Sequence, residues 1–575
     1  MGRQTDMMMK LILFILLIFS FRAQGLAQPD KIFFDLEEAA RNPSDVYKLF
    51  LNSQSIKNFP ISILSMKNLE ELHLSSNLIP VIPEEIDKLE NLKFLDLKGN
   101  SLDNLPASFR NLNKLEHLSI ETNKFKELPD ELSLLKKLRI LKIRENQIHS
   151  LPEFREGFTA LSMLYIDDIN LSSDWQKYKV YTNLKKAKES PSIVYHLDLS
   201  VQFTLPRPLD FSSFTELKTL NLSYCDLKEF PMSIMTLTHL EYLHLGRNNF
   251  LSVPAEIAQL SHLKYLDFSE NNLTTIPQEI GRLSDLKELN LAFNQIKELS
   301  ENLGELSKLT KLNLTKNAFQ QLPNAIGQLK LLEELHIGFN DFLTKIPESI
   351  GDLSHLRRLT VPKSGLISLP ESIGKLNQLE LLSMFNNRIR VLPESFGDLE
   401  SLKYLRIHKN KLTQLPDSFG NLRLLKELDL SENRLTTLPA SIEYMENLTI
   451  LVLDNNELTT LPFSIGQLEC LTSLSAYINT IKTLPSSLGK LKNLENLNLS
   501  YNNIQKLPRS IRHLSSLFVL DISDNKFSRF PKVIFRLHQL KKCNLEENDN
   551  LFMNEKKMQK VQSKLPGCKF RFPAN

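Results

Sequence analysis

Only four cysteines and one tryptophan occur in 575 residues. Four cysteines do not make a disulfide framework in a chain this long. An excess of charge of either sign is missing too. Seventy basic residues nearly balance 67 acidic ones, so the net charge of +3 gives no electrostatic reason to expect nucleic acid as a partner. After the first thirty residues no apolar stretch reaches the roughly 18 residues of a membrane-spanning helix, which leaves no transmembrane segment in the expected mature chain. Catalytic signatures are lacking as well: there is no HExxH, no CxxC pair and no GxSxG. Gly374-Lys375 and Gly489-Lys490 lack the upstream glycine and the following Ser or Thr of a phosphate loop. The expectation is a chain that is not an enzyme and that holds no cofactor. An apolar content of 42%, dominated by leucine, excludes a disordered chain.

The N-terminus stands apart from the rest. Lys10 precedes the apolar run Leu11–Phe19, and Gly25-Leu26-Ala27-Gln28 places small residues where a signal peptidase reads. Residues 1–27 therefore read as a secretory signal, which directs the mature chain to the medium, the periplasm or the cell surface. The alternative is a short buried or anchoring segment in a cytoplasmic protein. No cysteine follows the run, and Asp6 stands where myristoylation needs Ser or Thr.

What fills the remainder is one repeated unit. Leu69-x-x-Leu72-x-Leu74-x-x-Asn77 recurs as Leu92-x-x-Leu95-x-Leu97-x-x-Asn100, and the asparagine position can be followed through 22 repeats, from Gln54 to Asn548. Asparagine fills it in 17 of them, and 19 of the 21 intervals are 23 residues. The exceptions are an interval of 33, from Ile169 to Gln202, and one of 24, from Asn340 to Ser364. The alternating Leu72-x-Leu74 is a short strand with its leucines on one side. One coil cannot bury those leucines alone, so coils stack and their strands pair into a parallel sheet. The asparagine turns inward at the strand end to satisfy backbone groups that would otherwise be buried unpaired. The rest of each coil reads like Leu415-Pro416-Asp417-Ser418-Phe419-Gly420-Asn421-Leu422, an extended bend at proline followed by a helical or 3₁₀ turn. This side is wider than a strand, so the stack curves with the sheet on its concave face.

The pattern Leu-x-x-Leu-x-Leu-x-x-Asn-x-Leu-x-x-Leu-Pro-x-x-Ile-x-x-Leu resembles the leucine-rich-repeat superfamily. Within it, the chain is similar to the 23-residue class of Scribble-type and Ras-pathway scaffolds and of secreted bacterial repeat proteins. The resemblance covers about residues 46–550. It implies an α/β solenoid, a horseshoe of about 22 repeats with a parallel β-sheet on the concave face and a cap at each end. For function it implies protein–protein recognition on that face. An intracellular signalling scaffold of the Ras type would lack the signal segment, so the secreted bacterial group is the better match.

The expected organisation is a signal at 1–27, an N-terminal cap at 28–45, the solenoid at 46–550 and a C-terminal cap at 551–575. Residues 33–41 form an amphipathic turn or two, 554–564 a helix, and 565–572 a last short strand. The 33-residue interval carries a helical insertion at about 174–190, N-capped by Asp174, with Trp175, Tyr178, Tyr181 and Leu184 packed down. Cys543 and Cys568 are candidates for a bridge fastening the cap, against two separately buried thiols.

Four positions per repeat face the concave surface: six, four, two and one before the asparagine. Over the first seven repeats these carry four cationic residues against seven acidic; over the next nine, seven against four; over the last six, one against eight. The cationic middle zone also holds exposed aromatics, the pairing that binding hot spots use. Within it the 24-residue interval, Ser364 in place of the asparagine, and Pro362 near a strand end coincide. Local rule-breaking of that kind marks function or strain. The expected partner site is therefore Phe339, Arg358, Lys363, Phe385, Tyr404, Arg406, His408 and Lys409, a basic, aromatic hollow for an acidic protein surface or an anionic glycan. The competing reading is drift of the repeat without a selected contact. His73, His244 and His336 share one strand position, which the repeat explains better than a metal site.

Overall fold

The computed structural model describes residues 32–41, 43–151, 158–167, 169, 171–548 and 551–573. The expected signal at 1–27 lies outside them. The chain divides into two compact units, the first running to Ser200 and adding Leu209–Asn221, the second comprising Val201–Pro208 and Leu222–Asn575.

In the first unit seven short strands run parallel: β1 (Ile32–Phe33), β2 (Lys48–Phe50), β3 (Glu71–His73), β4 (Phe94–Asp96), β5 (His117–Ser119), β6 (Ile140–Lys142) and β7 (Met163–Tyr165). After them come β8 (Val180–Tyr181), β9 (His196–Asp198) and β10 (Thr219–Asn221), again parallel to one another. The second unit lines up fifteen parallel strands, β11 (Tyr242–His244) through β25 (Lys569–Arg571). Glu71 pairs with Phe94 and Tyr404 with Glu427, so one repeat is one strand spacing. The middle residue of each strand points into the core; Leu72, Leu95, Leu243 and Leu405 are all buried.

Opposite the sheet, five-residue 3₁₀ turns such as Asp417–Asn421 follow an extended proline, here Pro416. Proline suits that place because the first N–H of a helical turn has no partner to lose. The glycine inside these turns answers to stacking. A Cβ on Gly374 would overlap the Ser395 carbonyl of the next coil, and one on Gly489 that of Ser510. Both Gly-Lys pairs are thus packing features of the coil.

The asparagine ladder holds the coils in register. Asn77 accepts hydrogen bonds from the N–H groups of Gln54 and Ile56 at 3.1 and 3.0 Å, and donates to the Leu51 and Leu74 carbonyls at 2.9 Å each. The Leu74 carbonyl also accepts from Asn100 of the next coil at 3.0 Å, so each link is shared by two repeats. The residue just before the asparagine takes a left-handed conformation in coil after coil, with φ of 55° at Ser76, 59° at Phe339, 46° at Lys363 and 55° at Lys409. Its N–H is fixed to the following coil, as Lys409 to the Ser431 carbonyl at 2.9 Å. Such a bond offsets strain that otherwise costs a non-glycine residue about 1–3 kcal/mol.

The irregular repeat explains itself. Pro362 removes a donor near the strand end, but no sheet hydrogen bond is lost with it. At that position the N–H goes to the side chain two residues earlier, as from Ser431 to Asp429 at 3.0 Å and from Ser269 to Asp267 at 2.9 Å. Where the residue two earlier is Thr360, a proline leaves no N–H to satisfy. Gly338 of the preceding coil makes room, since a Cβ there would overlap the Pro362 ring. The extra residue is taken up in a turn at Asp341–Phe342, against whose carbonyl Gly365 packs closely. Ser364 accepts from the Asn340 N–H at 3.4 Å, a reduced version of the ladder bond. These irregularities compensate one another and carry no argument for function.

The insertion differs from expectation. A single helix over 174–187 is not formed; α2 (Ser173–Gln176) and α3 (Leu184–Ala187) are separated by β8. Val180 and Tyr181 pair with β9, and sheet pairing outweighs helix propagation in so short a segment. The caps differ too: Ser172 precedes α2, and Asn183 accepts from the Lys186 N–H to start α3. Trp175 and Leu184 are buried, as their spacing predicts.

At the N-terminal end α1 (Leu36–Arg41) buries Ala39, and β1 buries Phe33. At the other end α4 (Glu555–Lys564), capped by Asn554, leads to β25. The bridge between Cys543 and Cys568 is not formed: both are buried free thiols. Cys543 occupies a core slot opposite Phe570, and Cys568 lies two residues before that partner. Burial pushes the Cys568 thiol up to about 11.

Candidate interaction surface

The expected site lies wholly within the second unit, on β16 (Arg358–Thr360), β17 (Leu381–Ser383), β18 (Tyr404–Arg406) and the turns that follow them, with Phe339 in the turn after the preceding strand, β15 (Glu334–His336). Register sets the rows. Arg358, Leu381, Tyr404 and Glu427 stand side by side, as do Thr360, Ser383, Arg406 and Asp429. The left-handed residues throw Phe339, Lys363 and Lys409 outward at the strand ends.

The eight residues separate into smaller contacts. Lys363 Nζ sits 5.1 Å above the Phe339 ring, a cation–π arrangement. Phe385 stacks on His408, with ring centroids 4.8 Å apart and planes within 4°. His408 Nδ1 lies 3.0 Å from Asp429, whose carboxylate also accepts from the Ser431 N–H and hydroxyl. Burial alone would raise the Asp429 carboxyl; the adjacent His408 ring and the hydrogen bonds from Ser431 outweigh it and hold it below the usual range. Lys409 is 3.5 Å from Glu432. Burial raises the Tyr404 phenol.

That leaves three cations: Lys363, whose side chain meets the Phe339 ring, and two arginines. Among the described residues neither Arg358 nor Arg406 has an ion pair, and Arg406 Nη2 is buried without a hydrogen-bond partner. Asp429, the register neighbour of Arg406, is already engaged by His408 and Ser431. The basic hollow expected from the sequence is therefore smaller: Lys363 over the Phe339 ring, Arg406 two residues along the strand from Tyr404, and Arg358 in the same row as Tyr404 beyond Leu381, with Glu334 as its register neighbour on the other side and a stacked Phe385–His408 pair on the same face. Sequence reasoning could not see that neighbouring acids engage His408 and Lys409, because that depends on which rows meet.

His73, His244 and His336 do not converge. His73 stacks on Phe50, His244 lies tilted against Tyr265, and His336 Nδ1 is 2.8 Å from the Thr360 hydroxyl. Among the described residues no group of three His, Cys, Asp or Glu side chains could hold a metal ion, and no helix is long and apolar enough to cross a membrane.

Comparison with known proteins agrees with this architecture. A model of a leucine-rich repeat region matches residues 255–346, 345–424 and 394–500, and a leucine rich repeat model matches 44–102 and 492–550. A leucine-rich-repeat protein of Leptospira interrogans is 33% identical, with a TM-score of 0.60 over 68% of this chain and 100% of that one. The plant peptide hormone receptor RGFR1, solved in complex with RGF2, is 27% identical, with a TM-score of 0.53 over 92% of this chain and 94% of that one. A TDR receptor is 26% identical, with a TM-score of 0.54 over 91% and 89%. No protein of curated function matches. With its repeated strands, asparagine ladder and matching family models, the chain belongs to the leucine-rich-repeat family.

Proposed function

We propose that this chain is a secreted or surface-exposed scaffold that binds a protein through the sheet face of its second unit, with an anionic glycan as the other ligand class. The observation that carries the reading is the pair Arg358 and Arg406, cations without an ion pair among the described residues, one in the row of Tyr404 beyond Leu381 and the other two residues along the strand from Tyr404. A guanidinium held beside aromatic rings is the usual composition of a binding hot spot. It takes carboxylate or sulfate oxygens in bidentate fashion. The similar receptor RGFR1 was solved with RGF2 bound, which supports a peptide or protein as the ligand.

The double substitution Phe385→Ala with Arg406→Ala tests the site in a pull-down from the native medium. Both side chains are half-buried, and Arg406 Nη2 has no partner to strand, so folding should survive. Binding of the wild-type partner should fall by about tenfold or more. A partner held equally well by the variant retires the site. Secretion rests on the segment before Gln28. N-terminal sequencing of protein recovered outside the cell should begin at Gln28, whereas a retained Met1 or Met9 would sink it.

A further inference from the structure

The C-terminal cap is cationic in a chain that is otherwise slightly acidic. Residues 551–573 hold six cations against one acid, Glu555, a net of +5 where the whole chain has +3. Four of the six lie on α4. Lys556, Lys560 and Lys564 recur every four residues and so run along one side of the helix, with Lys557 on the same side as Lys564. All four are exposed, while Val561 is turned into the core. Among the described residues the cap's one ion pair is Arg571 with Glu546 at 3.8 Å, so no acid pairs with the stripe. Sequence reasoning placed this helix and passed over the stripe, whose signal is the four-residue spacing of its lysines.

An apolar group stands at each end. Leu551 and Met553 are buried, and between them Phe552 points outward, 70% exposed, the most exposed large apolar side chain among the described residues. Lys557 ties it to the helix: its ammonium donates to the Phe552 carbonyl at 3.2 Å and lies 5.4 Å from the ring centroid. At the far end Lys564 Nζ is 4.7 Å from the centre of half-buried Phe535, in the 3₁₀ turn Lys532–Arg536. Lys532 and Arg536 of that turn are exposed and continue the positive surface.

We propose that the cap docks on an anionic lipid surface, with the lysine stripe against the headgroups and Phe552 inserted below them. Each lysine held near an anionic leaflet strengthens binding by about fivefold, and salt screens the attraction. Charge alone would suit any polyanion, and Phe552 decides among them. A ring that stands clear of the protein gains only from a partner with an apolar layer to receive it, which a bilayer has and a sulfated glycan lacks. The surface belongs to other elements than Arg358 and Arg406 and stands independently of that reading.

The test is sedimentation of the full chain with vesicles of phosphatidylcholine alone, or of phosphatidylcholine and phosphatidylserine at three to one. The anionic vesicles should bind it about tenfold or more tightly. Replacing Lys556, Lys560 and Lys564 together by Gln keeps a good helix former at each place and should weaken binding to them by about a hundredfold. The same change at Lys482, Lys490 and Lys492, exposed lysines of inner coils, removes equal charge and should leave binding as it was. Phe552→Trp supplies a depth reporter, because the native Trp175 is buried and contributes a constant background. Its emission should shift to the blue on anionic vesicles and stay in place with heparin. No preference for the anionic vesicles, an equal loss in both lysine triples, or a Phe552→Trp emission that vesicles leave unmoved overturns the proposal; capture by heparin together with that last result would identify a sulfated glycan instead.

Discussion

Asn433→Ala is expected to destabilise the second unit by about 2–4 kcal/mol. The buried Asn433 side chain accepts the Leu412 N–H at 3.1 Å and donates to the Ile407, Leu430 and Ser431 carbonyls at 3.1, 3.0 and 3.3 Å. Alanine leaves the Leu412 N–H without an acceptor, and no water can enter a closed ladder without moving the coils. The Ile407 carbonyl keeps its bond from Asn410 at 3.1 Å, so the damage is local to one junction. Stability in a solenoid is carried by nearest-neighbour junctions. One weakened junction should therefore split the unit's urea unfolding into two steps as well as lower its midpoint. Amide exchange at Leu412 should accelerate first. Asn421→Ala is the control, an exposed side chain on the 3₁₀ flank, and should stay within about 0.5 kcal/mol of wild type. Equal costs for the two variants would mean that the ladder is not what holds the coils together.

Gly420→Ala should be costly for a steric reason, by about 1–3 kcal/mol. The added Cβ would fall inside the contact distance of the Ser441 carbonyl oxygen of the next coil, and would meet Ser441 Cβ at 2.6 Å. A carbonyl oxygen cannot rotate away as a flexible side-chain end can, so the two coils must separate on this flank. Gly567→Ala is the comparison, because its Cβ would meet only Lys541 Nζ at 3.7 Å and should cost little. Thermal melts of the two variants, read beside wild type, decide the matter. A Gly420→Ala protein that melts with wild type would show that the coils are spaced more loosely than this geometry requires.

Both predictions concern features legible in the sequence, but their physical meaning was not. Glycine at the position of Gly420 reads as a turn residue, yet it is there because the next coil approaches so closely. The recurring Asp residues four before the ladder, such as Asp429, read only as a shared slot of the repeat. In fact they accept the N–H two residues on, and this is why Pro362 is tolerated where the residue two earlier is Thr360. The insertion failed for a related reason. Its helical spacing is real over Trp175 to Leu184, but an open sheet position beside β9 offers Val180 and Tyr181 hydrogen bonds that a helix would have to forgo.

The sequence by itself determined the parallel sheet, the ladder, the 3₁₀ flank and the caps. All but the caps follow from a local pattern repeated every 23 residues, as the pairing of Glu71 with Phe94 and of Tyr404 with Glu427 bears out. Such a pattern specifies a whole solenoid because every coil can bury its leucines only against the next. Which charges survive on the sheet face was decided by tertiary structure alone. Neutralisation depends on side chains from adjacent coils meeting across a strand spacing of about 4.8 Å. Periodicity counts Lys409 and Arg406 alike as cations on one face. Only the packed coils give Lys409 its Glu432, turn Asp429 toward His408, and leave Arg406 without an ion pair.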